Sequence, residues 1–166
     1  MNRADLLRAW RWFALAAAII VADQIVKWVV LQNFAPGEQR PITSFLNLVL
    51  VFNKGAAFSL FASLPGWQTP VLSAFALIAA IVVGVFIVRS PGRNLLNLGL
   101  ALILGGALGN VIDRLRFGQV VDFVDVHAFG WHWPAFNVAD SAITIGAVLL
   151  ILEGFVHREG RARSSP

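Results

Sequence analysis

Long runs of apolar residues dominate the chain, and polar residues gather in the segments between them. Four of these runs are each close to the roughly 20 residues that a helix needs to cross a bilayer. They cover approximately residues 12–34, 67–88, 95–112 and 136–156. The pattern predicts an all-α membrane protein, a single domain over 1–166 with four transmembrane helices and two long loops, 35–66 and 113–135.

The first long loop is too apolar to be a plain linker. Residues Ile42–Phe52 are rich in strand-forming side chains, and Asn53–Gly55 supplies a turn. We therefore expect a small extracytoplasmic β-element between helices 1 and 2. Trp67 and the tryptophans of Trp131–Trp133 suit a membrane–water interface.

Composition supports a membrane protein and excludes several kinds of site. The chain is 58% hydrophobic and 13% charged, whereas a soluble domain is about half apolar and a quarter charged. There is no cysteine, so disulfides, thiolate metal sites and cysteine nucleophiles are excluded. The first apolar run is too long for a cleavable signal peptide.

The arginines predict the orientation. Eight of them lie in the N-terminus, the 89–93 turn and the tail, whereas the two long loops hold four basic residues. The positive-inside rule then places both termini in the cytoplasm and both loops outside. Because topology accounts for the arginines, the net charge of +4 does not indicate nucleic-acid binding.

Acidic residues cluster at the predicted outer boundary. The sequence Asn-Val-Ile-Asp at 110–113 closes one apolar run, Asn-Val-Ala-Asp at 137–140 opens the next, and Asp122 lies between them. Carboxyls held close together cannot all ionise, so they share a proton, as in an aspartic protease. By spacing alone, the pair would be Asp113 with Asp140.

A purely structural interpretation of these acids stays open at this point. Asp113 stands beside Arg114, and Asp140 lies near the start of a helix, where an acid is favourable. Residue types alone do not decide between capping and catalysis.

Two charged residues lie inside the first run. Asp23 and Lys27 are four apart and share one helix face. Asp23 is roughly 16 Å along the helix from Trp12, where a bare charge costs roughly 2.5–3.5 kcal/mol. We expect the pair to face protein, to neutralise each other and to orient the helix; a place in the site is the alternative.

Other candidate features are weaker. Asp125, His127 and His132 match no standard zinc spacing, so we expect no metal. Gly105, Gly106 and Gly109 form a face of small residues that favours close helix packing.

The polar motifs together resemble the lipoprotein signal peptidases (signal peptidase II), four-span aspartic proteases of bacterial membranes. The resemblance covers nearly the whole chain. It is carried by Asp23 with Lys27, Asn53–Phe58, Gly105–Arg114, Val120–Phe123 and Phe136–Asp140.

This resemblance implies an endopeptidase that removes the signal peptide from diacylglyceryl-modified prolipoproteins, just before the lipidated cysteine. It implies a catalytic dyad of Asp122 with Asp140, in place of the pair that spacing suggests. Asp113 becomes a supporting acid, held by Asn110 and Arg114.

The remaining motif positions receive supporting roles by the same resemblance. Asn53, Asn110, Asn137 and Arg114 would hold substrate carbonyls or support the carboxylates, and Gly55 with Ala56 would leave room for substrate backbone. No metal or organic cofactor is implied. The expected partners are lipidated prolipoproteins and membrane phospholipid, for a monomer in the bacterial inner membrane with its active site at the extracytoplasmic face.

Two other classes of function compete with this one. A small proton-coupled transporter would also need membrane acids, but these acids gather at one face, and Lys27 would neutralise Asp23, the deepest of them. A scaffold protein would not need several acids at one depth.

Overall fold

A computed structural model describes residues 3–55 and 67–163. Its helices are α1 (Arg3–Asn33), α2 (Gln68–Arg89), α3 (Asn94–Phe117) and α4 (Val138–Arg163). All four are long and apolar enough to cross a membrane. The prediction of a mostly helical, multi-pass membrane protein is confirmed, although α1, α3 and α4 continue beyond the predicted runs.

Helix α3 is the centre of the bundle and packs against each of the other three helices. Glycine permits this close approach. A Cβ built on Gly105 would lie 2.8 Å from the carbonyl oxygen of Ala16 in α1, and one on Gly146 of α4 would lie 2.6 Å from the carbonyl oxygen of Gly99. Both separations are too short for a real side chain, so the predicted role of Gly105 in close packing is confirmed.

A four-stranded antiparallel sheet, in the order β1-β2-β3-β4, lies at one end of the bundle. Strands β1 (Gln39–Pro41) and β2 (Leu46–Asn53) lie between α1 and α2, whereas β3 (Val120–Ala128) and β4 (Trp131–His132) lie between α3 and α4. The sheet is therefore built from both long loops, whereas the sequence suggested strands in the first loop only. The valine-rich start of β3 suits a strand.

The sheet is fixed to the bundle by a hydrophobic cluster of Val30, Leu50, Val121 and Phe123. Val121 and Phe123 belong to this cluster, and successive side chains of a strand point to opposite faces. Asp122 between them therefore points away from the cluster. An irregular register between Leu48 and Val51 brings Val51 opposite Asp122, as a β-bulge does when it re-aims a strand near a site.

The opposite end of the bundle is held by polar contacts of arginines. Arg11 Nη2 donates a 2.6 Å hydrogen bond to Asn94 Oδ1, which joins α1 to the start of α3. Arg93 Nη2 lies 2.9 Å from Glu153 Oε1 of α4. The sheet and the polar side chains described next lie at the other end.

Candidate active site

Asp122 lies on β3 and is only 2% exposed. Two amides from different segments bind its carboxylate. Asn137 Nδ2 donates to Asp122 Oδ1 at 2.7 Å, and Asn53 Nδ2 donates to Asp122 Oδ2 at 3.0 Å. Both oxygens are thus held in place, as expected for a carboxylate that must keep one orientation.

Asp140 lies in the first turn of α4 and makes a reciprocal cap with Asn137. Asn137 Oδ1 accepts the Asp140 backbone N–H at 2.9 Å, and Asp140 Oδ2 accepts the Asn137 N–H at 3.3 Å. The pattern matches a capping box, in which the N-cap and the residue three positions later satisfy each other. The structural interpretation of Asp140 as a capping residue is therefore correct, but incomplete.

Asn137 also connects Asp140 to Asp122, because its side-chain amide donates to Asp122 while its backbone donates to Asp140. Asp140 Oδ1 accepts a further 2.8 Å hydrogen bond from Asn110 Nδ2 on α3. The structure thus joins two acids from separate segments through one asparagine.

The environment of Asp122 favours its protonated form. Burial is the larger cause and the negative charge of Asp140 the second, and together they raise the pKa of Asp122 from 3.8 to about 7. The amides of Asn53 and Asn137 and the charge of Lys27 oppose the shift without cancelling it. A carboxyl with a pKa near neutrality can exchange a proton during a reaction.

A buried ionic group adjoins these acids, and it consists of Asp23, Lys27 and Asp113. Lys27 Nζ lies 2.8 Å from Asp23 Oδ2 and 2.8 Å from Asp113 Oδ2. The sequence predicts the Asp23–Lys27 pair, which is confirmed, but not its second acid. Spacing alone paired Asp113 with Asp140, whereas the structure pairs Asp113 with Lys27.

Asp113 is not bound by the residues expected from the resemblance. Its hydrogen-bond and ion-pair partners within the described part of the chain are Lys27, Gln24 and the backbone of Val121. Asn110 instead binds Asp140 and Lys27. Arg114 instead donates to a backbone carbonyl of the first loop.

Gln24 is a site residue that the sequence motifs did not indicate. Its Nε2 donates a 2.9 Å hydrogen bond to Asp113 Oδ1. A signal was present, because Gln24 follows Asp23 inside an apolar run and has no place there unless it is paired.

Arg114 and Gly55 meet at the edge of the site. Arg114 Nη2 donates to the Gly55 carbonyl oxygen at 3.4 Å, and the Gly55 N–H donates to Asn53 Oδ1 at 2.9 Å. The buried Arg114 Nε has no hydrogen-bond partner among the described residues. Ala56–Phe58, the rest of that motif, lie outside the described residues.

Asp125 belongs to a separate cluster. It accepts a 2.7 Å hydrogen bond from Asn47 Nδ2 and lies 2.9 Å from His132 Nδ1. Burial alone would raise the pKa of Asp125, but the hydrogen bonds from Asn47 and His132 outweigh burial and lower it. Asp125 is therefore a stably ionised, paired acid, unlike Asp122.

Comparison with known proteins gives one consistent result. Residues 15–156 match the family model described as signal peptidase (SPase) II. The lipoprotein signal peptidase of Janthinobacterium sp. (strain Marseille) is 53% identical over 142 residues, which cover 86% of each chain. That of Cupriavidus necator is 51% identical over 156 residues, covering 92% of this chain and 87% of the relative.

A solved structure is also similar. It is a bacterial membrane enzyme determined by the in meso method at 2.3 Å resolution. It superposes with a TM-score of 0.80 at 28% sequence identity, over 94% of this chain and 93% of that one. The fold described above is therefore shared with a membrane enzyme of known structure.

Proposed function

Because the chain belongs to the signal peptidase II family, we propose that it removes the signal peptide from diacylglyceryl-modified prolipoproteins. The cut falls just before the lipidated cysteine. The comparisons do not support the alternative of a proton-coupled transporter. The observation that carries the proposal is the pairing of Asp122 with Asp140 through Asn137.

In this proposal the two acids hold one proton between them. The ionised carboxyl takes a proton from a water molecule as the water oxygen bonds to the scissile carbonyl carbon. The protonated carboxyl donates a hydrogen bond to the carbonyl oxygen. The C–N bond then breaks, and a proton from the dyad goes to the leaving amine of the cysteine. Asp122, with its pKa at about 7, is half protonated near neutral pH and suits this exchange.

The polar residues around the dyad have two roles in this proposal. Asn53, Asn110 and Asn137 keep the carboxyls oriented, since each donates an amide hydrogen to Asp122 or Asp140. Arg114, whose Nη2 donates to the Gly55 carbonyl oxygen at the edge of the site, binds a carbonyl of the substrate in this proposal. Gly55 leaves space for the substrate backbone beside it.

We further propose that the site faces the extracytoplasmic side of the bacterial inner membrane and that both termini are cytoplasmic. The arginine-containing contacts of Arg11 and Arg93 lie at the end of the bundle opposite the sheet, and positive residues favour the cytoplasmic side. The protein acts as a monomer among membrane phospholipids, with the signal helix entering from the bilayer. The sheet then supports the mature part of the substrate.

The test uses purified protein in detergent with a diacylglyceryl-modified prolipoprotein. The same precursor without the lipid serves as the control, and mass spectrometry identifies the product ends. We expect cleavage of the lipidated precursor only, with a product that begins at the modified cysteine, and EDTA should leave the rate unchanged. Cleavage at another bond, equal cleavage of both precursors, or loss of activity in EDTA would contradict the proposal.

A further inference from the structure

Two backbone hydrogen bonds connect the buried ionic group to the catalytic segments. Asp23 Oδ1 accepts the N–H of Ala139 at 2.9 Å, and Asp113 Oδ2 accepts the N–H of Val121 at 3.0 Å. Ala139 immediately precedes Asp140, and Val121 immediately precedes Asp122. Each supporting acid therefore fixes the backbone one residue before one member of the dyad.

Lys27 joins these two attachments. Its ammonium group has three hydrogens, and it has three acceptors: Asp23 Oδ2 at 2.8 Å, Asp113 Oδ2 at 2.8 Å and Asn110 Oδ1 at 3.1 Å. Asn110 in turn donates to Asp140. The ammonium group of Lys27 on α1 is thereby connected, through Asp113 and Asp23, to the backbone of β3 and to that of α4.

The ionic group is fully enclosed. Asp23 and Asp113 are each 0% exposed, and Lys27 is 2% exposed. Gly109 makes room for it, since a Cβ there would lie 2.9 Å from Asp23 Oδ2. Gln24 binds the remaining oxygen of Asp113, so the carboxylate cannot rotate away from Val121 without losing that bond.

We propose that Lys27 is a positioning residue, which sets the separation of Asp122 and Asp140 by holding Asp23 and Asp113 together. This inference rests on the proposed function, because it assumes that these two acids are the dyad. Hydrogen bonds to charged acceptors are stronger than those to neutral acceptors. The carboxylates of Asp23 and Asp113 therefore hold the backbone before each catalytic acid more firmly than a neutral asparagine side chain would.

Stability alone does not account for this arrangement. Burying charges is expensive, and apolar side chains of similar volume often replace a buried ionic group without loss of stability. What apolar side chains cannot do is accept the N–H groups of Val121 and Ala139. A displacement of about 1 Å in an active site can cost about a hundredfold in rate. Accurate placement of the backbone before each acid therefore affects the rate of cleavage strongly.

The test compares wild type, Lys27→Met and the double variant Lys27→Met/Asp113→Asn in single-turnover and steady-state cleavage of the lipidated precursor. The double variant restores the wild-type net charge of the buried group, since it removes one positive and one negative charge. It therefore remains informative if Lys27→Met alone fails to fold. Thermal melting in detergent gives the folded fraction of each preparation.

We expect both variants to show a kcat about a hundredfold below wild type per folded molecule, with a KM within about threefold. A wild-type kcat in any folded variant would overturn the positioning role, even if the melting temperature falls. A loss confined to KM would also overturn it, because it would indicate substrate binding. Failure of the wild type to cleave would instead reject the proposed function, so the two failures are distinguishable.

Discussion

Asn53 Nδ2 lies 3.0 Å from Asp122 Oδ2, and this bond has a close counterpart on the same strands. Asn47 Nδ2, also on β2, lies 2.7 Å from Asp125 Oδ2 on β3. The two asparagines make the same kind of contact, but only Asn53 supports the proposed dyad. They therefore form a matched pair for mutagenesis.

Asn53→Ala should lower kcat about tenfold to a hundredfold, because a hydrogen bond to a charged group contributes about 1.5–3 kcal/mol. Asn47→Ala should keep kcat within about threefold of wild type, while lowering the melting temperature. Initial cleavage rates of the lipidated precursor measure both. Equal losses of activity in the two variants would show that the contact matters for the sheet and not for the dyad.

The rate of cleavage should depend on pH in a way that follows from Asp122. With its pKa raised to about 7 by burial and by Asp140, Asp122 loses its proton as pH rises through neutrality. We therefore expect kcat/KM to decline above about pH 7, approaching a tenfold fall per pH unit. A rate that stays flat to pH 9 would contradict the assignment of the proton to Asp122.

Stability should respond to the same titration. The pKa of Asp122 is raised on folding from 3.8 to about 7, so the folded protein binds the proton more tightly than the unfolded chain. The stabilisation is complete below pH 3.8, declines as pH rises and is lost above about pH 7, on the order of a few kcal/mol in total.

The melting temperature of wild type should therefore fall between pH 5 and pH 7 relative to that of Asp122→Asn, which cannot titrate. Above pH 7 the difference between the two proteins should be constant. The comparison cancels the ionisable groups that do not interact with Asp122, which both proteins share. Parallel melting curves across the whole range would exclude a raised pKa for Asp122.

Gly106 tests the packing that places α4 beside α3. A Cβ at Gly106 would collide with the carbonyl oxygen of Ala139, the residue before Asp140, and lie 2.8 Å from Ile143 Cγ1. Gly106→Ala should push the start of α4 away from α3. The melting temperature should fall, and kcat should fall by at least tenfold. Gly154→Ala is the control on α4, because no atom lies within 4 Å of its built Cβ; a matching loss in that control would refute the steric explanation.

The helices were predictable because a transmembrane helix is encoded by a long, predominantly apolar run, and α2 begins and ends within two residues of the predicted limits. The sheet was harder, since its strands pair between two loops that lie far apart along the chain. β-branched residues indicate a strand but not its partner.

In the site, the sequence pattern did not predict which partner each aspartate has. The same Asn-x-x-Asp spacing occurs near the end of α3 and at the start of α4, yet only the copy at the helix start forms a capping box, between Asn137 and Asp140. In the copy inside α3, Asp113 instead pairs with Lys27. Helical periodicity gives the face on which Asp113 lies, but not the neighbouring helix that meets it.

Cleavage by dyad variants tests the central claim most directly. Asp122→Asn and Asp140→Asn keep side-chain size but cannot share a proton, whereas Asp125→Asn alters a paired acid of the separate cluster on the same strand as Asp122. Single-turnover assays with lipidated prolipoprotein, normalised to folded protein, should show no detectable product for the first two variants and a wild-type rate for Asp125→Asn. Product formed by folded Asp140→Asn or Asp122→Asn at more than about one hundredth of the wild-type rate would contradict the account.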